Sequence, residues 1–243
     1  MGMMRVFLFA LLLALPPGLA GCLGNGGWHT VRGSGNVLHE ERKVAEFDHV
    51  FVSGAGELRI SQGEEEALNI EADDNLLPFI RSEVHNGELS LGPENVNVRP
   101  TGNIVYHLRL KNLNTLHLSG SAEAKLEAIK TDRLELGISV SGSVQIPHLD
   151  AQSLSAHITG SGNASAAGRV HRQDIHITGS GSYQGTELES AQAEARITGS
   201  GDASLWVTDA LSAQITGSGC VKYRGDAHVE SHVTGSGHMQ KQP

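Results

Sequence analysis

Four histidines and three carboxylates stand at fixed distances before a recurring glycine, and their spacing makes them the first candidates for chemistry. His117, His157, His176 and His232 each come three residues before the glycine; Asp174, Glu194 and Glu230 come five before it. If each stretch is a strand stacked on the next, neighbouring imidazoles lie about 5 Å apart, and neutral imidazoles suit a soft divalent metal such as zinc, copper or nickel. Ser139 and Arg196 interrupt that row, however, and a structural site wants four ligands in tetrahedral geometry. The row therefore reads as a polar ladder on a solvated face, and no metal or other cofactor is expected. Asp174 and Glu194 would be one coil apart, near the roughly 5–10 Å separation that glycoside hydrolysis uses. That makes a lyase or hydrolase acting on carbohydrate the alternative. Apart from Arg196, no cation recurs beside them, so no catalytic residue is assigned and the chain reads as a non-enzyme.

What must position these side chains is a repeated turn. Ile-Thr-Gly-Ser-Gly stands at Ile158–Gly162, Ile177–Gly181, Ile197–Gly201 and Ile215–Gly219, and as Val-Thr-Gly-Ser-Gly at Val233–Gly237. Degenerate copies occur at Val52–Gly56, Leu118–Ala122 and Val140–Val144. Leading glycines at Gly54, Gly120, Gly142, Gly160, Gly179, Gly199, Gly217 and Gly235 recur, from Gly120 onward, every 18–22 residues. A fixed period of this size marks a solenoid in which each repeat is one stacked coil. Before each turn, apolar residues alternate with Ser, Thr and His, as in Leu116–Ser119 and Ile175–Thr178, which is a strand with one buried and one wet face. Glycine reaches positive φ without a Cβ clash, so these glycines, with Gly162, Gly181, Gly201, Gly219 and Gly237 behind them, are read as structural turns.

After the turn a second apolar slot follows: Ala124, Ile146, Ala164, Tyr183, Ala203, Val221 and Met239. Asp132–Leu136, Ala151–Leu154 and Thr208–Leu211 supply a third short strand. Three strands per coil predict an all-β chain, a three-sided parallel β-helix whose many inward alanines leave a narrow, packed bore. The glycines are not a phosphate loop, because no Gly-Lys-Ser/Thr follows a strand and opens a helix. Asn36–Leu110 is less regular and is expected to form the first coils and an N-terminal cap. Within it, Asn75–Arg81 reads as one helical turn stopped by Pro78, and Val84–Leu91 as a hairpin about Asn86-Gly87. Met239–Pro243 reads either as a frayed last coil or as a surface for association.

Residues 1–21 have the pattern of an export signal, with Arg5 in a basic n-region, Val6–Leu15 as the apolar stretch and Pro16-Pro17-Gly18 as a breaker. Leu19-Ala20-Gly21-Cys22 resembles the lipobox of bacterial lipoproteins. That resemblance implies acylation of Cys22 and a membrane partner through lipid, since two or more acyl chains suffice for stable anchoring. Leu23, rather than Asp, after the cysteine implies an outer membrane in a Gram-negative host, facing periplasm or exterior. Residues 22–32 are glycine-rich and read as a flexible tether, leaving 33–243 as the folded domain. The formal net charge of −9, without a Lys/Arg cluster, argues against nucleic acid as a partner. Cys220, the one cysteine besides Cys22, reads as a Ser-like residue at a polar, partly exposed turn.

Several runs resemble the family called "putative auto-transporter adhesin, head GIN domain". They are Phe47–Gly56 (FDHVFVSGAG), Asn75–Arg81 followed by Asn86–Leu91 (NGELSL), Ile104–Gly120 (IVYHLRLKNLNTLHLSG) and the train of TGSG coils, together spanning Gly33–Gly237. The resemblance implies a right-handed β-helix on a cell-envelope lipoprotein and defines no catalytic residues. The expected function is a non-catalytic binding, adhesion or structural module, whose partner is a glycan or an envelope protein and which oligomerises if the rod is an assembly part.

Overall fold

The structure is a computed structural model that describes residues 30–243. The signal sequence, Cys22 and most of the tether lie outside the described residues. Thr30–Arg32, read as the end of the tether, is instead a strand, β1.

Alternating apolar residues produce strands almost everywhere. In the N-terminal half these are β2 (Val37–Arg42), β3 (His49–Gly54), β4 (Glu57–Gln62), β5 (Ala67–Asp73), β6 (Ile80–His85), β7 (Glu88–Pro93), β8 (Asn97–Arg99) and β9 (Val105–Leu110). β1 pairs in parallel with β8. β2 runs antiparallel to β5, and β5 antiparallel to β9, which then lies parallel to β4. β6 and β7 form the hairpin expected about Asn86-Gly87, with φ of 52° and 81° at the two turn residues. Such positive values at both central positions match the right-handed twist of a hairpin. Leu77–Phe79 is a single 3₁₀ turn with Pro78 inside it rather than at its end. Proline fits the first turn of a helix because its missing N–H has no partner there.

The repeats follow as β10 (Thr115–Gly120), β11 (Glu123–Leu126), β12 (Ala128–Val140), β13 (Ser143–Gly160), β14 (Asn163–Gly179), β15 (Ser182–Gly199) and β16 (Asp202–Gly217). β17 (Cys220–Arg224), β18 (His228–Gly235) and β19 (His238–Lys241) complete the stack. All these coils pair in parallel, forming a β-solenoid. Separate second and third strands were expected in each coil; in the central coils the ladder instead continues around the corner as single strands of 16 to 18 residues.

Stacking aligns like with like. Leu118, Ile138, Ile158, Ile177, Ile197 and Ile215 fall in one register column and none is more than 1% exposed. Each such side chain contributes on the order of 1.5–3 kcal/mol of burial. The post-turn column is Ala124, Val144, Ala164, Tyr183, Ala203 and Val221; Val144, not Ile146, holds this slot. Tyr183 fills space that its alanine neighbours leave. Its hydroxyl donates to Gln173 Oε1 at 2.8 Å, Gln173 Nε2 donates to Ser190 Oγ at 2.9 Å, and Ser190 Oγ donates to the Trp206 carbonyl at 2.9 Å. The bore is thus packed, with one buried polar chain that satisfies itself.

The corner explains the glycines. At Gly179 φ is +119°, and an added Cβ would lie 2.5 Å from the carbonyl oxygen of Gly160 in the coil below. That carbonyl accepts the Ser180 N–H at 2.8 Å, so the close approach is part of the ladder itself. Gly54, Gly120, Gly160, Gly199, Gly217 and Gly235 share the positive φ. The second glycines Gly162, Gly181, Gly201, Gly219 and Gly237 do not; at Gly181 an added Cβ would instead meet the Gly162 carbonyl oxygen at 2.6 Å.

Gly142 is a correction. The sequence alignment placed it among the leading glycines, but Gly120 pairs with Val140 and Val140 pairs with Gly160. Val140 therefore holds the leading slot, at φ 85°, and Gly142 is a second glycine.

Candidate functional site: the outward polar face

The strands that lead into each corner, β10, β12, β13, β14, β15, β16 and β18, expose three parallel columns. The first runs Thr115, Glu135, Ser155, Asp174, Glu194, Ser212, Glu230; the second His117, Gly137, His157, His176, Arg196, Gln214, His232. The third is Ser119 and Ser139 followed by the threonines from Thr159 to Thr234. With Val140 in the glycine slot, the residue that interrupts the histidine row is Gly137. Ser139 belongs to the threonine column, so the expected break at Ser139 moves by two residues.

His157 and His176 sit on adjacent coils as anticipated, ring centroids 5.0 Å apart and tilted by 32°. His117 stacks on Phe51 of β3 at 5.4 Å, which extends the row of rings toward the N-terminal coils. His232 lies on β18, away from these pairs. Asp174 Oδ1 and Arg196 Nη1 lie 2.9 and 3.1 Å from the same atom, His176 Nε2. That nitrogen serves one of them at a time: protonated it donates to Asp174, unprotonated it accepts from Arg196. Glu194 is held between Arg172, at 3.4 Å, and Arg196. The two carboxylates that one coil of spacing brings together thus both have partners on this face: Asp174 an imidazole that it shares with Arg196, and Glu194 two guanidinium groups. Among the described residues, no group of three or more His, Cys, Asp or Glu is placed to hold a metal ion.

A second feature had no sequence signal beyond the alternation of Glu57 and Arg59. On β4, Glu57 is only 9% exposed. Arg59 grips both of its oxygens, at 3.0 and 3.2 Å, and Lys125 of β11 reaches it at 2.9 Å. Hydrogen bonds from Arg59 and then Lys125 outweigh desolvation and pull the carboxyl down to about 2. Lys125 is 66 positions from Arg59 in sequence but opposite it in the ladder. Beside this triad, Lys43, Arg59, His107 and Arg109 line a groove of about 790 Å³ together with Glu66 and Glu127.

Cys220 differs from the partly exposed turn residue expected: it is buried, at 6% exposure. Burial, and then the charge of Asp202, push its thiol pKa up. A raised thiol is mostly protonated near neutral pH, which makes it a poor nucleophile.

The family model for "putative auto-transporter adhesin, head GIN domain" matches residues 46–227. The chain belongs to this family. The match lies within the stretch over which the sequence resemblance runs, and the head GIN fold is shared by solved structures. A putative adhesin from Bacteroides fragilis superimposes with a TM-score of 0.83 at 24% identity, over 87% of this chain and all of its own. A putative lipid binding protein from Parabacteroides distasonis gives 0.76 at 25% identity, over 88% of this chain and all of its own. A putative adhesin from Parabacteroides merdae gives 0.70 at 24% identity with the same coverage. No curated protein matches the head GIN chain. The family and these neighbours are described as putative adhesins or, in one case, as a putative lipid binding protein, and no helix among the described residues is long and apolar enough to cross a membrane.

Proposed function

We propose that this protein is a non-catalytic binding module of the cell envelope, tethered by lipid on Cys22 and presenting its polar face to a glycan or to an envelope protein. The observation that carries this reading is the state of the outward carboxylates: Asp174 and Glu194 are both engaged by side chains of the same face. A hydrolase needs one carboxyl free to donate a proton and another free to attack or to activate water. A face of paired charges, threonines and imidazoles, repeated coil after coil, is suited instead to many weak contacts with a repetitive ligand. Membership of the head GIN family and the adhesin neighbours support the binding role. Lipid on Cys22 rests on the lipobox-like sequence, and the outer-membrane location on Leu23 following it in a Gram-negative host.

Two measurements test the two halves. Cys22→Ser should move the protein from the membrane pellet to the soluble fraction; continued pelleting would show that lipid is not the anchor. Crosslinking in intact envelope, followed by pull-down, should recover a fixed glycan or protein partner. A joint His157→Ala and His176→Ala variant should reduce that recovery. Unchanged recovery would place the contact elsewhere, and turnover of a polysaccharide by the purified protein would overturn the non-catalytic reading.

A further inference from the structure

The last coil presents an open edge at β18. β18 pairs on one side with β16, and among the described residues its other side carries no strand. At the N-terminal end the outermost strands β2 and β6 are antiparallel additions; β2 exposes Val37 and Leu38, but both strands bear charges of both signs, Glu40, Glu41 and Arg42 on one, Arg81 and Glu83 on the other. Charged, irregular edges of that kind discourage strand addition. β18, with sequence His-Val-Glu-Ser-His-Val-Thr-Gly, carries no Lys, Arg or Pro. Val233 is 39% exposed, although its column neighbour Ile215 is 1% exposed, so an apolar slot stands uncovered beside open backbone groups.

We infer that this edge docks a second copy of the same chain, β18 against β18 in antiparallel register about a two-fold axis through Ser231. The sequence of the strand selects both the partner and the register. A two-fold contact must be self-complementary, each residue meeting its counterpart twice. With Ser231 opposite itself, Glu230 faces His232 on the outer side, twice, and Val229 faces Val233 on the inner side, twice. Moving the axis by one residue in either direction sets His232 against His232, or Glu230 against Glu230 and His228 against His232. Axes halfway between residues would oppose outward side chains to inward ones, which the period of two forbids. Of these registers the centred one sets a carboxylate opposite an imidazole that can donate to it outside and valine opposite valine inside, with His228 facing Thr234 and Ser231 facing itself. It would join two solenoids end to end through one continuous sheet, doubling the polar face. This inference stands independently of what that face binds.

The test uses the full-length protein in the detergent or membrane fraction in which it is isolated. Ser231→Cys lies on the axis, where antiparallel neighbours are within disulfide reach. Mild oxidation should give a disulfide-linked homodimer. Thr198→Cys, exposed two coils inward, is the control and should not. In sedimentation, His232→Glu sets carboxylates opposite each other and should weaken dimerisation about tenfold or more. Adding Glu230→His restores the carboxylate–imidazole pairs with the positions exchanged, and should bring the dissociation constant back to within about threefold of the original. Circular dichroism confirms that each variant folds. A protein that stays monomeric at about 100 µM, a crosslink from position 231 to a different protein, or a double variant no tighter than His232→Glu would each overturn the inference.

Discussion

The imidazole of His117 lies across the α-carbon of Gly137 in the next coil: a Cβ built on Gly137 would fall 2.3 Å from His117 Nδ1. The gap in the histidine column is thus filled from below, and His117 Nε2 continues to Ser139 Oγ at 3.4 Å. φ at Gly137 is not in the positive range, so the backbone itself would accept alanine.

Coupling between these two residues is therefore predicted. Gly137→Ala alone should leave stability unchanged or lower it, because His117 must swing away. In a His117→Ala background the same change should stabilise by about 0.4–1 kcal/mol, the usual gain when glycine yields to alanine at a compatible position. Urea unfolding of the four proteins in a double-mutant cycle measures the difference; additive effects would show that the ring does not occupy the site.

The corner offers a paired prediction. Gly179→Val places a β-branched residue at positive φ and against the Gly160 carbonyl, and should cost about 3 kcal/mol or more. Val140 already bears the backbone part of that strain at φ 85°, with its side chain 58% exposed. Val140→Gly should accordingly stabilise by about 1 kcal/mol or more. Opposite shifts in the urea midpoint for the two variants are the expected result. A Val140→Gly protein that unfolds earlier than the original would refute the slot assignment.

Glu57 predicts a pH dependence. Its carboxyl is held near 2 in the folded chain, below the ordinary value of 4.5. A depressed pKa contributes stability that is complete above about 4.5 and is lost as pH falls toward 2. Glu57→Gln should lower the melting temperature at pH 7 by roughly 2–4 °C, as about 1 kcal/mol does in a chain of this size. The gap between variant and original should shrink steadily from pH 4.5 downward. A gap that persists at pH 2 would mean the Arg59–Lys125 contacts are not its source.

Inside the bore, Tyr183→Phe removes the donor to Gln173, which is fully buried. An unpaired buried amide oxygen costs about 1–3 kcal/mol, and chemical denaturation should show a loss of that size. Gly185→Ala should also destabilise, since its Cβ would approach the Tyr183 ring to 2.7 Å.

The architecture was legible in the sequence because burial in a stacked sheet imposes two simple periods, two along the strand and about one coil between turns. The Asn86-Gly87 hairpin was equally legible, since few residue pairs adopt positive φ twice in succession. Burial of Cys220 was not, because the equivalent slot of other coils holds polar residues, Asn163, Ser182, Asp202 and His238, and the contact that His238 Nε2 makes with its Sγ at 3.4 Å comes from the next coil. Lys125 at Glu57 was hidden for a related reason: the contact is made through the ladder, and nothing local records it.

Residue types and their alternation by themselves determined the solenoid, the inward and outward faces, and the corners held by glycine at every leading slot but that of Val140. What the tertiary structure alone decided was register between coils. A slip of two residues, such as the one that exchanged Val140 with Gly142 and Ser139 with Gly137, leaves every side chain on its own face and so leaves no trace in a pattern of period two. Only the stacking of one coil's carbonyl beneath the next coil's α-carbon distinguishes the two alignments. With that settled, the partners of His117, His176 and Glu194 follow.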